Sequence, residues 1–391
     1  MQTLSLCMIV KNEAGNLERS LAPLIPFVDE AVVVDTGSDD GTPELAASLG
    51  ARVHQFAWGH DFSAARNFSL EKAAGDWIIW LDGDNRVPEE DGALLKSLVQ
   101  RPQDAILWAT EVLEPGGGRL LQKRFFPRRP EIRFRYRVHE QLVHPPDLAQ
   151  VITPVRIFHW GYETRELRQA KARRNLTYLL AELQERPEDF YLRYHLTRHH
   201  FYAGELEEAW GQLQMVLATP WLENQNPEIA RHARLLAALL LDRADDLSGA
   251  LRQFREVVER YPDYGLAWYH LGQTCFRRND FDTAALALAR FLELGCGHFF
   301  LDQPEEKLTL TALLTRAQAL RRLERFPEAG EVLKDAQRRY HQEPGVWLET
   351  AALARACEDE RAARRALGAC LNLRPGFRRA RMLLAEMDGR V

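Results

Sequence analysis

The hydrophobic pattern of this chain changes period once, near residue 163, and that change constrains the fold more than any single motif. Up to about Tyr162, short apolar runs alternate with amphipathic stretches. Leu4–Val10, Ala31–Asp35, Arg52–Phe56, Trp77–Asp82 and Ala105–Leu113 are short and rich in branched and aromatic residues, as strands are. Between them, Leu17–Leu24, Glu44–Leu49, Ala64–Ala74 and Glu89–Leu98 carry helical spacing. Strands alternating with helices predict an α/β domain over residues 1–163, with a parallel sheet covered by helices on both faces. From about Thr164 onward the spacing is helical throughout. Small residues recur there at Ala209, Ala250, Ala284, Ala329 and Ala363, in steps of 41, 34, 45 and 34 residues. Residues 164–391 are therefore predicted to form a linking helix followed by repeated helical hairpins.

Within the first half, Asp82-Gly83-Asp84 ends the apolar run Trp77-Ile78-Ile79-Trp80-Leu81. Residues two apart in extended chain project to the same side, so both carboxylates can leave the sheet together. Open α/β sheets bind ligands at the carboxyl ends of their strands. Hard oxygen donors there suit Mg²⁺ or Mn²⁺, and such a cation suits a diphosphate. A capped turn is the plainer account, because Asp and Gly are common turn residues. Two further polar loops, Lys11-Asn12-Glu13 and Asp35-Thr36-Gly37-Ser38-Asp39-Asp40-Gly41-Thr42, follow predicted strands and belong to the same edge.

In the second half, Trp268-x-x-Leu271-Gly272 followed by Ala284 has the spacing of a tetratricopeptide repeat. Phe254 and Pro262 follow Ala250 in the next two positions of that pattern, and Trp347 and Pro375 bracket Ala363. The long steps place insertions near Thr219–Glu228 and Cys296–Lys307. Five degenerate repeats suffice to bury a continuous core in a superhelix.

Composition narrows the function classes. A balance of 51 Lys and Arg against 56 Asp and Glu gives a net charge of −5, which is no signature of nucleic-acid binding. Eight Lys or Arg against the single acid Glu131 lie between Arg119 and Arg137, interleaved with Phe125, Phe126, Phe134 and Tyr136. Such a patch could stack single-stranded nucleic acid. A mobile or edge hairpin is preferred, and charged edge strands that prevent aggregation are the plainer account. Five cysteines without a Cys-x-x-Cys pair fit a reducing compartment. The apolar run Leu4–Val10 is too short to span a membrane, and Lys11-Asn12-Glu13 follows at once, so a cytoplasmic protein is expected.

The first half resembles a family 2 glycosyltransferase of the GT-A fold. The resemblance rests on Met8-Ile9-Val10-Lys11-Asn12-Glu13, Val34-Asp35-Thr36-Gly37-Ser38-x-Asp40-Gly41-Thr42, Phe62-Ser63-Ala64-Ala65-Arg66-Asn67, Asp82-Gly83-Asp84, Val138-His139-Glu140 and His159-x-Gly161-Tyr162. The whole chain is similar to a bacterial subgroup in which that domain precedes tetratricopeptide repeats. The resemblance implies a GT-A nucleotide-diphospho-sugar transferase domain followed by an all-α repeat superhelix. It implies an inverting, metal-dependent glycosyltransferase of hexosyltransferase type, using a nucleotide sugar, with UDP expected.

By the same resemblance, Asp84 would bind Mn²⁺ or Mg²⁺, with Asp82 assisting it or holding the donor. His159 would add a further metal ligand or, in the plainer account, be a packed strand-end residue. Val10, Asn12, Glu13 and Asp35 would face the nucleoside, and Thr36 replaces the second acid that many members carry after Asp35. Arg66 would reach donor phosphates, or else form a helix-surface salt bridge. Glu140 would be the general base, the competing role being a salt bridge to Arg135 or Arg137. His139 is the reserve base, because an unperturbed imidazole titrates near neutral pH. The repeats would hold a protein or peptide acceptor, or make a homodimer. The alternative function is an inactive scaffold that binds peptides, and the presence of Asp82, Asp84, Glu140 and His159 argues against it. A sugar-nucleotide pyrophosphorylase would want a glycine-rich loop after the first strand, which Lys11-Asn12-Glu13-Ala14-Gly15 does not supply.

Overall fold

The computed structural model describes residues 2–100, 104–113, 118–159, 164–297 and 305–389. The described chain divides into two compact units. The first runs to Thr219, and the second covers Pro220–Gly297 and the residues from Glu305 onward.

The first unit is built on an eight-stranded sheet. In chain order its strands are β1 (Leu4–Val10), β2 (Glu30–Asp35), β3 (Arg52–Gln55), β4 (Trp77–Asp82), β5 (Asn85–Arg86), β6 (Ala105–Leu113), β7 (Gly118–Pro127) and β10 (Ala149–His159). A separate two-stranded ribbon pairs β8 (Arg133–Arg135) with β9 (Gln141–Val143). The sheet order is β3-β2-β1-β4-β7-β6-β10-β5. Every residue of β1 is buried, as a central strand covered on both faces requires. Its side chains alternate: Leu4, Leu6, Met8 and Val10 join one core layer, whereas Cys7 and Ile9 join the other.

The first layer is covered by α1 (Ala14–Ser20), a 3₁₀ turn (Ala22–Phe27), α2 (Thr42–Ser48) and α4 (Glu89–Leu98), through Leu17, Leu24, Ala46 and Leu95. The second is covered by α3 (Phe62–Lys72) and the β8–β9 ribbon, through Ala65, Leu70, Phe134 and Leu142. Helices do lie on both faces, but the sheet is mixed. β7 runs antiparallel between β4 and β6, so the expectation of a parallel sheet fails at the β6–β7 hairpin. β7 is also an interior strand, and the basic stretch that begins in it is not an exposed edge. Arg124 is buried against Glu111, and Arg133, Arg135 and Arg137 pair with Glu71, Asp189 and Glu185.

Three helices complete this unit: α5 (Arg165–Glu185), α6 (Phe190–Ala203) and α7 (Leu206–Leu217). Thr164 caps α5 by accepting from the Leu167 amide, and Asp189 caps α6 by accepting from Tyr191 and Leu192.

The second unit is all-helical. The short α8 (Leu222–Gln225) lies within the first predicted insertion. Four hairpins follow: α9 (Pro227–Arg243) with α10 (Leu247–Arg260), α11 (Gly265–Arg277) with α12 (Phe281–Leu294), α13 (Glu305–Arg322) with α14 (Phe326–Tyr340), and α15 (Pro344–Ala356) with α16 (Glu360–Leu373). Helix α17 (Arg378–Met387) comes last. The alanines picked out by their spacing all sit in the first turns of second helices, and all five are fully buried. The facing first helix needs a small residue as well, as Gly272 of α11 shows. A Cβ there would stand 2.6 Å from Leu288 Cγ of the partner helix. Most of the second insertion, residues 298–304, lies outside the described residues.

Candidate active site

β1, β2, β4 and β10 run in the same sense, so Val10, Asp35, Asp82 and His159 all end at one sheet edge. The loops after β1 and β2 are tied to each other there. Asn12, at φ 56°, donates its amide to Ser38 Oγ (2.8 Å) and accepts from the Asp39 amide (2.9 Å). The Glu13 amide donates to Thr42 Oγ1 (2.8 Å). The Asp35 carboxylate is turned onto its own loop, accepting from the Gly37 and Ser38 amides. Thr36, standing where a second acid was expected, donates its hydroxyl to the Val10 carbonyl at 3.0 Å.

Beyond β4 the chain turns through Gly83, where a Cβ would meet Glu13 Cγ at 2.6 Å, so Glu13 packs directly against the turn. Asn85 is buried and staples two strand ends together. Its Oδ1 accepts from the Asp82 amide (3.1 Å), and its Nδ2 lies 2.9 Å from His159 Nδ1. His159 Nδ1 stands 3.4 Å from Asp84 Oδ1 and 3.6 Å from Glu111 Oε1. Asp82, Asp84 and His159 therefore converge as their positions in the sequence suggested. His159 is the last described residue before 160–163, so Gly161 and Tyr162 of its motif lie outside the described residues.

The centre of the site is Arg66. Its Nη2 bonds Asp82 Oδ1 at 2.7 Å and its Nε bonds Glu140 Oε1 at 3.0 Å, with the guanidinium 4.2 Å from the Trp80 ring centroid. Arg66 is thus not a surface ion pair. It is a buried bridge between the two carboxylates. Glu140 pairs with Arg66 and not with Arg135 or Arg137, which hold Asp189 and Glu185. Arg124, only 1% exposed, bonds Glu111 (2.6 Å), approaches Asp82 Oδ2 at 3.8 Å and stacks 3.8 Å from the same Trp80 ring. Burial opposes the charge on Asp82, but Arg66 and Arg124 outweigh it and hold its carboxyl down at about 2. For Asp84 burial prevails, and with Asp82 nearby its carboxyl lies above the usual carboxylate range despite His159 and Lys171.

The segment carrying Glu140 is held from two sides. From α3, Ser63 Oγ bonds the Tyr136 carbonyl, the Phe62 amide bonds the Arg137 carbonyl, and Asn67 brackets Phe134 through its amide and carbonyl. From α5, Glu182 accepts the Arg137 amide at 2.7 Å. From α6, Tyr191 stacks on Tyr136 and donates its hydroxyl to the His139 carbonyl (2.7 Å), while Asp189 accepts from the Tyr136 hydroxyl. Tyr136 and His139 adopt φ of 80° and 57°, left-handed conformations that non-glycine residues keep only when the surroundings enforce them. His139 lies flat on His195, with ring centroids 4.0 Å apart. Burial there, together with Arg198, drives its imidazole down to about 3. The ground for a reserve base, an imidazole titrating near neutrality, is removed by that environment.

Asp84 with His159 offers a hard oxygen and an imidazole at the mouth of the sheet. That donor set fits Mg²⁺ or Mn²⁺ held by few protein groups, with substrate phosphates and water completing the shell. Among the described residues, no three His, Cys, Asp or Glu side chains already form a metal cage.

The residues that sequence reasoning passed over are Glu111, Arg124 and Lys171. Lys171 of α5 points its Nζ to within 3.7 Å of Asp84 Oδ2. Glu111 did leave a signal, since it is a charge within a nearly apolar strand, whereas Arg124 follows Gln122 and Lys123 in a strand that also carries Arg119.

Residues 5–157 match the Glycosyl transferase family 2 model. The chain is 36% identical over 280 residues to a TPR repeat-containing protein of Synechococcus elongatus, covering 67% of this chain and 68% of that one. It therefore belongs to that protein's family, and it is a glycosyltransferase whose family 2 domain is followed by tetratricopeptide repeats. It is also 25% identical over 198 residues to the glycosyltransferase SunS of Bacillus subtilis, covering 48% of this chain and 46% of that protein. Among solved structures, the helical region is similar to YrrB, described as a TPR protein with an unusual peptide-binding site. That match has 15% identity and a TM-score of 0.43, over 52% of this chain and 96% of the other. Among the described residues, no helix is long and apolar enough to cross a membrane.

Proposed function

We propose that the enzyme transfers a sugar, with inversion, from a UDP-sugar to a protein or peptide acceptor, and that it needs a divalent cation to do so. The observation that carries this reading is the convergence of Asp84 and His159 beside the Asp82–Arg66–Glu140 bridge at one sheet edge. Asp84 and His159 would hold the cation, whose positive charge would stabilise the leaving diphosphate. The interlocked Val10–Glu13 and Asp35–Thr42 loops face the nucleoside. Asp82, ionised at neutral pH and fixed by two guanidinium groups, accepts from donor hydroxyls beside the cation. Glu140 takes the proton from the acceptor's nucleophilic atom. As it does, that atom's electron pair forms the new bond to the anomeric carbon, and the bond to the diphosphate breaks with its electrons leaving on oxygen. Arg66 orients Glu140 and Asp82 relative to each other, and this alignment is what positional catalysis requires. A protein or peptide acceptor is favoured by the helical repeats, because such arrays commonly present extended surfaces to polypeptides.

The test is calorimetric titration of UDP with and without Mn²⁺, in wild type and Asp84→Ala. Mn²⁺-dependent binding that is lost in the variant supports the donor site. Binding of GDP or dTDP in place of UDP would change the nucleotide. Metal-independent binding of equal strength in both proteins would refute the cation's role.

A further inference from the structure

The basic stretch between Arg119 and Arg137 is not evenly neutralised. Arg124, Arg133, Arg135 and Arg137 each face a carboxylate. Lys123 of β7 does not. Its half-buried ammonium lies 2.9 Å from Nε2 of His144, the residue after β9, and 5.3 Å from the centroid of the Trp108 ring. His144 Nδ1 stands 2.9 Å from the Pro145 carbonyl oxygen, which can only accept, so Nδ1 carries a proton and Nε2 is left to meet the ammonium. With one further proton shared between them, the pair holds a single positive charge. Among the described residues no carboxylate lies within ion-pair distance of Lys123. Burial, unopposed by any acid, pushes its ammonium below the usual lysine range.

We infer that Lys123, held in place by His144, binds an oxyanion, a carboxylate or phosphate group, on the sheet face that the β8–β9 ribbon covers. A charge drawn out of water is costly unless an opposite charge meets it. Neither neighbour meets that need, since the imidazole is a neutral acceptor and the indole face attracts only weakly at that distance. One of the three ammonium donors goes to His144, and the other two have no hydrogen-bond partner among the described residues. Lysine's compact charge suits an oxygen anion. The position ties this site to the one already described. The Lys123 carbonyl accepts from the Trp80 indole at 2.7 Å, and the Trp80 ring lies against the Arg66 guanidinium that holds Glu140. Only β9 separates Glu140 from His144, so at about 3.3 Å per residue the two lie within roughly 13 Å. A polypeptide acceptor whose reacting residue meets Glu140 would seat an acidic side chain, a few residues away, on Lys123. That extension alone rests on the acceptor reading given above.

Two probes test the site and its carrier separately. The full chain, labelled with ¹⁵N-histidine, is titrated with inorganic phosphate at constant ionic strength. Long-range ¹H–¹⁵N spectra read the His144 ring, which is assigned by its loss in His144→Gln. Phosphate should move the wild-type His144 resonances saturably. Lys123→Gln should weaken that binding by roughly tenfold, the worth of one hydrogen bond to a charged group, and Lys123→Arg, which keeps the charge, should retain most of it. A His144 ring that phosphate does not move in the wild type overturns the inference and needs no variant to be seen. Equal phosphate affinity in wild type and Lys123→Gln overturns it as well. Fluorescein-labelled hexaglutamate and hexaglutamine, followed by anisotropy, then identify the carrier. Preference for hexaglutamate in the wild type, lost in Lys123→Gln, supports an acidic polypeptide. Phosphate binding without that preference overturns the polypeptide extension and assigns the site to a small oxyanion, while the donor-site reading still stands or falls on the UDP titration.

Discussion

Replacing Arg66 with methionine tests whether the buried bridge is what holds the site together. Methionine keeps comparable length and apolar contact with Trp80 but removes the charge shared by Asp82 and Glu140. The Asp82 carboxyl is held near 2 against an ordinary 3.8, a little under two units. At about 1.4 kcal/mol per unit this is worth roughly 2–3 kcal/mol before screening. Arg124 supplies part of it, and Asp82 keeps 30% of its side chain exposed, so about 1–2 kcal/mol falls to Arg66 on this account. Stranding Glu140 adds to it, since breaking a buried pair costs up to about 3–5 kcal/mol. The expected loss at pH 7 is therefore about 2–4 kcal/mol. The sign with pH follows from the lowered carboxyl. The Asp82 part of the contribution is complete above about pH 4 and is roughly halved at pH 3, so the gap between wild type and variant should narrow there by about 0.5–1 kcal/mol. Because the chain has two units, urea unfolding should be read by hydrogen exchange on peptides covering β4. A loss below about 1 kcal/mol at pH 7, or a gap that stays constant down to pH 3, would refute the account.

Two further outcomes follow from the geometry. Glu140→Gln should lower kcat by about 10²–10⁴-fold while leaving UDP affinity unchanged by calorimetry, and equal losses in both would make Glu140 a binding residue. Gly265→Ala would put a Cβ 1.9 Å from the Gly295 carbonyl oxygen. That variant should destabilise the helical unit by about 1–3 kcal/mol in a thermal melt and leave exchange in the α/β unit untouched.

The strands were legible where both faces are buried. Leu4–Val10, Trp77–Asp82 and Ala105–Leu113 have the same limits in the sequence pattern and in the structure. Strand direction was not legible, because the antiparallel course of β7 depends on which neighbours pair and not on the apolar period within it. In the site, Asp82 and Asp84 announced themselves by ending an apolar run, and His159 by the resemblance of its motif to the family's. The partner of Glu140 did not. Arg135 and Arg137 are its neighbours in sequence, but Arg66, 74 residues away, is its neighbour in space. The fate of His139 was equally hidden, since nothing local says that an imidazole from α6 will lie flat upon it. Lys171 could not be found by motif at all, because its relation to Asp84 is created by where α5 packs.

The grip of α5 and α6 on the Tyr136–Glu140 segment has a consequence for anyone who would cut or exchange parts of this enzyme. The segment's left-handed residues are kept in place by Glu182, Asp189, Tyr191 and His195. A fragment ending where the sheet ends would let that backbone relax and carry the Glu140 carboxylate away from Arg66. The first helices after the sheet are thus inherited together with the chemistry. A chimera that trades one relative's repeats for another's should place its seam beyond Thr219, leaving everything before it as one transplantable piece.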